Sequence, residues 1–167
     1  MAGKIANIHP NAFQKLMHHF LMLKWVSAFL AKGLYRVDKF LFRLTRGRFV
    51  ITRFAGLPIV QLTTTGAKTK QARTMPLVGI PDGERIIVIA SNFGQRHHPG
   101  WYYNLKANPV CLVRFDGRST NYIAHEAMGS EREIYFQLAI LYYAGYQKYK
   151  ERAAPRQIPV MVLEPKK

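Results

Sequence analysis

The stretch RTMPLVGIPDGERIIVIA, residues 73–90, decides how this chain is built. Two apolar, β-branched runs, Arg73–Ile80 and Arg85–Ala90, flank Asp82-Gly83, and such a pair supplies the left-handed backbone that a tight hairpin needs. The pattern returns in VCLVRFDGRSTNYIAH, residues 110–125, where Val110–Phe115 and Ser119–His125 flank Asp116-Gly117. Working outward, Ile59–Thr64 reads as an earlier strand and Ile158–Leu163 as a last one. Pro159 lacks an N–H, so that strand is expected at an edge, or with the proline in a first position. Two helices fill the gaps, Gly100–Ala107 and Ser130–Arg152, and the second opens on Ser130-Glu131-Arg132-Glu133, the spacing of a capping box. Six strands joined by hairpins, with few helices, predict a small antiparallel β-barrel in a mainly β, α+β chain.

Upstream the pattern changes. From Lys32 the apolar residues Leu34, Val37, Leu41 and Leu44 recur at helical spacing, with Lys32, Arg36, Lys39, Arg43 and Arg46 on the opposite face. Before them, Phe13–Leu30 carries a wide apolar face with Trp25 and Phe29. Residues 1–50 hold nine Lys and Arg against Asp38 alone, a net +8. They read as a basic amphipathic helical extension, and residues 51–167 as the barrel domain. Such a helix can lie on an anionic membrane surface or pack on the core with a solvated basic face. The expectation carried forward is binding to anionic liposomes.

Composition bounds the partners. The 167 residues are 49% hydrophobic, enough for one compact domain, and carry 25 Lys plus Arg against 9 Asp plus Glu, a net +16. That charge attracts anions: nucleic acid, anionic lipid or a phosphorylated small molecule. Nothing resembles a base-reading motif, so a basic nucleic-acid module is the weaker reading and no nucleic-acid partner is expected. The lone Cys111 lies in an apolar run and reads as a buried small side chain. One cysteine and no recognisable secretory leader suggest a cytoplasmic chain, with a peripheral place on the inner face of the membrane open to it. No run is long and apolar enough for a transmembrane helix.

Three clusters can carry chemistry. The turn Thr65–Arg73 joins two strands and offers Ala67, Lys68, Thr69, Lys70 and Arg73: hydroxyls, backbone N–H groups, two point charges and a guanidinium fork, with no acid. Those parts suit a phosphate, although a plain basic hairpin would look alike. The second is Ala90-Ser91-Asn92 at a strand end, followed by His97-His98-Pro99 and Gly100-Trp101-Tyr102-Tyr103-Asn104, which could form a flat slot for a ring system. The two adjacent histidines lack a third ligand nearby, so no metal is expected. The third is Tyr143, Tyr146 and Tyr149, three residues apart along a helix, either packing aromatics or a wall over a planar substrate. No usual catalytic set is present, so a cofactor is expected to carry any hard chemistry.

Together these segments resemble the deazaflavin-dependent nitroreductase family of the flavin/deazaflavin oxidoreductase split-barrel superfamily. The resemblance rests on LTTTGAKT (62–69), RTMPL (73–77), IAS (89–91), PGWYYNLKANP (99–109), YAGYQKY (143–149) and RQIPV (156–160), in that order. It implies an antiparallel split β-barrel with an N-terminal helical extension, binding coenzyme F-420, with FMN a less favoured ligand. It implies that Lys68, Thr69 and Arg73 hold the phosphate, with Ala67 also a cofactor-binding position, that Thr74, Met75, Pro76, Leu77, Val78, Ala90, Ser91 and Asn92 line the deazaflavin with backbone and small side chains, and that Gly100 to Asn104 complete the cofactor slot, with Trp101 against it. Tyr143, Tyr146 and Tyr149 would face the acceptor, with Ser91 helping to orient it. The implied reaction is hydride transfer from reduced F-420 to a quinone-like or nitroaromatic acceptor, with protonation from solvent or a tyrosine. Lys70 stands where the family usually has glycine, Ala67 where arginine is common, Asn92-Phe93 in place of a Lys/Gly-type pair, and Val78 where some relatives carry tyrosine. A homodimer is plausible from exposed sheet edges.

Overall fold

The computed structural model describes residues 12–21 and 56–166. In chain order these form α1 (Ala12–Leu21), β1 (Ile59–Thr65), β2 (Ala72–Asp82), β3 (Arg85–Ile89), a single 3-10 turn at Asn92–Gly94, α2 (Gly100–Ala107), β4 (Val110–Phe115), β5 (Arg118–Glu126), α3 (Gly129–Tyr142), α4 (Gly145–Ala153) and β6 (Val160–Pro165). Asp116 and Gly117 are both left-handed, at φ 48° and 78°, which is what a two-residue loop between Phe115 and Arg118 requires. Gly83, at φ 61°, turns β2 into β3.

The strands close into a barrel in the order β1-β2-β3-β6-β5-β4, and every pairing is antiparallel. Of the two placements open to Pro159, the edge strand is absent: β6 lies between β3 and β5, and closure removes its edge. Pro159 sits just before β6, where its carbonyl accepts the Ala90 N–H at 2.9 Å and its missing N–H costs no ladder bond.

Strand alternation sorts the side chains into two cores. Val60 and Leu62 of β1, Ile86 and Val88 of β3, and Met161 and Leu163 of β6 fill the barrel with Cys111, Val113, Ala124, and Trp101 and Leu105 of α2. Ile87, Ile89, Val160 and Val162 point the other way, into a second core roofed by α3 and α4. So β3 and β6 are buried on both faces, while Val110, Leu112 and Ile123 of β4 and β5 stay exposed. Cys111 is buried as expected, and desolvation pushes its thiol up to about 12, so it is no nucleophile at neutral pH.

Two expectations need correction. Ser130–Arg152 is not one helix: α3 ends at Tyr142, Tyr143 is extended (φ −152°, ψ 103°), and α4 starts at Gly145. The capping box does not form either. Met128 occupies the N-cap with no side-chain hydrogen bond, and Glu133 accepts instead from Gln137 and Arg132.

Of the N-terminal extension only α1 is described. Met17 packs against the outer core and His18 meets the Tyr143 ring edge-on at 5.2 Å, so this helix lies against the barrel's helical roof. The proposed basic helix from Lys32 lies outside the described residues. Among the described residues no helix is long and apolar enough to cross a membrane.

Candidate active site

The turn between β1 and β2 is held by its own backbone hydrogen bonds. The Gly66 N–H donates to the Gln71 carbonyl at 2.8 Å and the Lys70 N–H to the Gly66 carbonyl at 2.9 Å. A Cβ on Gly66 would meet Thr69 Oγ1 at 2.7 Å and the Gln71 carbonyl at 3.2 Å, so a larger residue would have to displace the Thr69 side chain and ease the turn. Lys70 holds the left-handed conformation, φ 57°. The glycine expected there would take it freely, and a lysine adopts it at a cost of about 1–2 kcal/mol. Lys68, Thr69, Lys70 and Arg73 are all exposed, with Arg73 Nη2 3.5 Å from Thr69 Oγ1.

Asn104 ties this turn to α2. Its Nδ2 donates to the buried Thr64 Oγ1 at 3.0 Å, and its Oδ1 accepts the Ala67 N–H at 3.0 Å. One side chain thereby fixes the end of β1 and the start of the turn. α2 is itself anchored: Trp101 and Leu105 plug the barrel, and Glu126 accepts from Tyr102 Oη at 3.1 Å and Lys106 Nζ at 3.0 Å. Burial and that carboxylate push the Tyr102 phenol up to about 12.

The segment after β3 faces α2 through His98. Asn92, Phe93 and Gly94 are consecutively left-handed, at φ 49°, 56° and 79°. A Cβ on Gly94 would stand 2.9 Å from Arg152 Cβ and 3.2 Å from the Tyr149 backbone, so the segment lies hard against α4. Phe93 meets the Tyr149 ring edge-on at 6.1 Å. Arg156 reaches across to the carbonyls of Ala90, Ser91 and Gln95 and to His98. His98 in turn lies 4.8 Å from the Tyr102 ring and 5.9 Å from Tyr103, back on α2.

The expected site residues separate once placed. Ala67, Lys68, Thr69, Arg73 and Asn104 gather at the turn. On β2 the ladder puts Arg73, Met75 and Leu77 across from Thr64, Leu62 and Val60, on the face toward the barrel core. Thr74, Pro76 and Val78 alternate onto the opposite face, where Thr74 Oγ1 lies 2.8 Å from Thr63 Oγ1. Side chains from all five residues 74–78 therefore cannot line one surface. Trp101 is 4% exposed and serves as a core plug rather than an open stacking face. Gly100 and Tyr103 are exposed, Ala90 and Ser91 are buried and present backbone, and Asn92 Nδ2 donates to the His97 carbonyl at 3.0 Å.

The tyrosines are brought together, but not in an open wall. Tyr143, Tyr146 and Tyr149 are at most 5% exposed, with ring centroids 5.6–6.1 Å apart and the Tyr143 and Tyr149 hydroxyls 3.3 Å from each other. A continuous helix would rotate residues three apart by about 60° per step. The break at Tyr143 lets the three rings converge, and the Tyr143 ring covers Gly145 where a Cβ would collide with it. Burial raises the phenols of Tyr143 and Tyr146 well above their usual range. Among the described residues no group of three His, Cys, Asp or Glu gathers to hold a metal ion.

The family model for the F420H(2)-dependent quinone reductases matches residues 34–165. The chain belongs to that family. It is an oxidoreductase of the F-420-dependent quinone reductase type, with coenzyme F-420 as cofactor and the split-barrel fold. An F420H(2)-dependent quinone reductase of Mycobacterium tuberculosis strain H37Rv is 32% identical over 143 residues, which cover 84% of this chain and 95% of the relative. A solved F-420-dependent reductase, FDR-A, is 38% identical with a TM-score of 0.60 over 64% of this chain and 94% of its own. A second solved structure, described as a domain-swapped dimer, is 35% identical with a TM-score of 0.62 over 78% of this chain and 95% of its own.

Sequence reasoning found the turn and α2 but gave no role to Arg156 and passed over His98 as a weak metal ligand. The signal was faint: a single arginine 58 residues from the histidine it meets.

Proposed function

We propose that the family's reaction, reduction of a quinone by reduced F-420, takes place along the edge bounded by the Gly66–Gln71 turn, α2 and the Ser91–Gly94 segment. The observation that carries this is Asn104, whose two hydrogen bonds make the basic turn and α2 one construction. The residues fit the cofactor's anionic part: an acid-free loop presents Lys68, Thr69, Lys70 and Arg73 to solvent, and Gly66 lets its backbone close. Lys68 and Arg73 would take the phosphate, with Ala67 and Thr69 beside them. The ring would lie along the β2 backbone from Thr74 to Val78, toward Ala90, Ser91 and Asn92. Gly100, Tyr102 and Tyr103 would close the slot, while Trp101 holds α2 in place. When bound, the deazaflavin supplies the hydride.

The chain's own contribution is to orient both reactants and hold protons. Buried Tyr143 and Tyr146 stay protonated at neutral pH, so with Tyr149 they could donate to a quinone oxygen that reached them; otherwise solvent supplies the proton. Nitroaromatics are a second acceptor class for the same edge. Titration with F-420 tests the reading: saturable quenching of its fluorescence at micromolar protein is expected, and none would end it. A flavin spectrum in the purified protein would favour FMN instead.

A second copy of this chain is a proposed partner, supported by the relative solved as a domain-swapped dimer. The +8 charge of residues 1–50 supports a peripheral role at an anionic membrane, with sedimentation on anionic liposomes expected to fall on truncation.

A further inference from the structure

Arg156 is half-buried just ahead of β6 in the chain. Its Nε donates to the Gln95 carbonyl at 3.0 Å, its Nη2 to the Ser91 carbonyl at 2.8 Å, and its Nη1 to the Ala90 carbonyl at 3.3 Å. Nη1 also lies 3.0 Å from His98 Nδ1. Arginine has only donors, so His98 Nδ1 must accept and the ring carries its proton on Nε2. All four acceptors belong to residues 90–98, the segment that contains the left-handed run at Asn92, Phe93 and Gly94. Such a run persists only where its surroundings over-determine it. α4 supports it from one side through Tyr149, and Arg156 supports it from the other. His98 then passes that support to α2 through the rings of Tyr102 and Tyr103.

We propose that Arg156 is a positioning residue for the cofactor slot: it fixes the Ala90–Ser91 backbone and, by holding His98 through Nδ1, sets that segment's spacing from α2. The proposal rests on the slot's assignment to F-420. Arg156 touches neither reactant in this scheme. It acts through backbone carbonyls and one imidazole, so its loss should alter cofactor binding far more than quinone binding.

The charged and titratable groups around His98 are Arg156, His97 and Glu126, with the phenols of Tyr102 and Tyr103 packed on its ring. Burial, Arg156 and His97 lower its protonation, and Glu126 raises it. A histidine lowered in the folded state binds fewer protons there than when unfolded. Stability is therefore full above the ordinary histidine range and falls as pH drops through it. Removing the Arg156 charge should move the His98 titration upward, toward the ordinary value.

The test compares wild type with Arg156→Lys, Arg156→Gln and His98→Asn. Imidazole nitrogen NMR of the cofactor-free protein should show His98 protonated on Nε2 with a depressed titration, moving upward in Arg156→Gln. In steady state, the KM for reduced F-420 should rise about tenfold or more in both Arg156 variants, with the quinone KM within about twofold. His98→Asn keeps an acceptor for Nη1 and should be milder. Unchanged cofactor KM in Arg156→Lys, or an unmoved His98 titration in Arg156→Gln, would overturn the proposal. If Arg156→Gln fails to fold, Arg156→Lys and His98→Asn decide it. Wild type that does not quench F-420 fluorescence would remove the cofactor part of the proposal, while the imidazole titration still decides whether Arg156 holds His98.

Discussion

The basic turn at Gly66–Gln71 and the tyrosine cluster at Tyr143–Tyr149 both stand out in the sequence, and folding treats them in opposite ways. The turn's cations project into solvent, and the loop is shaped by its own backbone bonds and Asn104. The tyrosines are almost wholly buried, touch one another and support the Phe93–Gly94 backbone from behind. Exposed charge is available to a ligand and adds little to stability. Buried aromatic area stabilises the fold and is available to a ligand only if the packing opens.

Substitutions can break that contrast. Tyr146→Ala should have the largest effect, lowering unfolding free energy by about 3–5 kcal/mol in a urea titration, as large aromatic truncations in a core do. Tyr143→Phe, which removes only the contact with the Tyr149 hydroxyl, should cost about 1 kcal/mol. If it lowered kcat more than tenfold at unchanged stability, its hydroxyl would belong to the chemistry and the contrast would fail. The double variant Lys68→Ala, Arg73→Ala should weaken F-420 binding by about a hundredfold, through two lost charge-assisted contacts, with unfolding free energy within about 0.5 kcal/mol of wild type. Asn104→Ala bridges the two behaviours: it should cost about 1–3 kcal/mol of stability by leaving Thr64 and the Ala67 N–H without their partner, and weaken cofactor binding as well. Lys70→Gly should have the smallest effect. It relieves a left-handed lysine but frees the unfolded chain, so stability should change by less than about 1 kcal/mol and F-420 affinity by less than about threefold.

Much of this was legible along the chain. Both Asp-Gly pairs marked their hairpins because the requirement for left-handed backbone is local. The apolar runs marked all six strands within about two residues. The exposed cations and hydroxyl of Lys68, Thr69 and Arg73 were also readable, because charge and hydroxyl content do not depend on packing. The single helix from Ser130 was misread because Tyr143, Tyr146 and Tyr149 suit helix spacing. The break between Tyr142 and Gly145 lets three rings meet in one core, and Gly145 leaves room for the Tyr143 ring.

By itself, then, the sequence determined the strand order along the chain, the turn positions, the excess of positive charge and the family, all properties of neighbouring residues or of composition. The tertiary structure decided which of those residues are open to a ligand. Closure of the barrel made β6 an interior strand, deciding between the edge and the first-position reading of Pro159. Alternation on β2 split Thr74, Pro76 and Val78 from Met75 and Leu77. Folding also brought Asn104 to Ala67 and Arg156 to Ser91, across 37 and 65 residues. Contacts at such separations leave no periodic trace, because they form only when the strands close and bring distant segments to one rim.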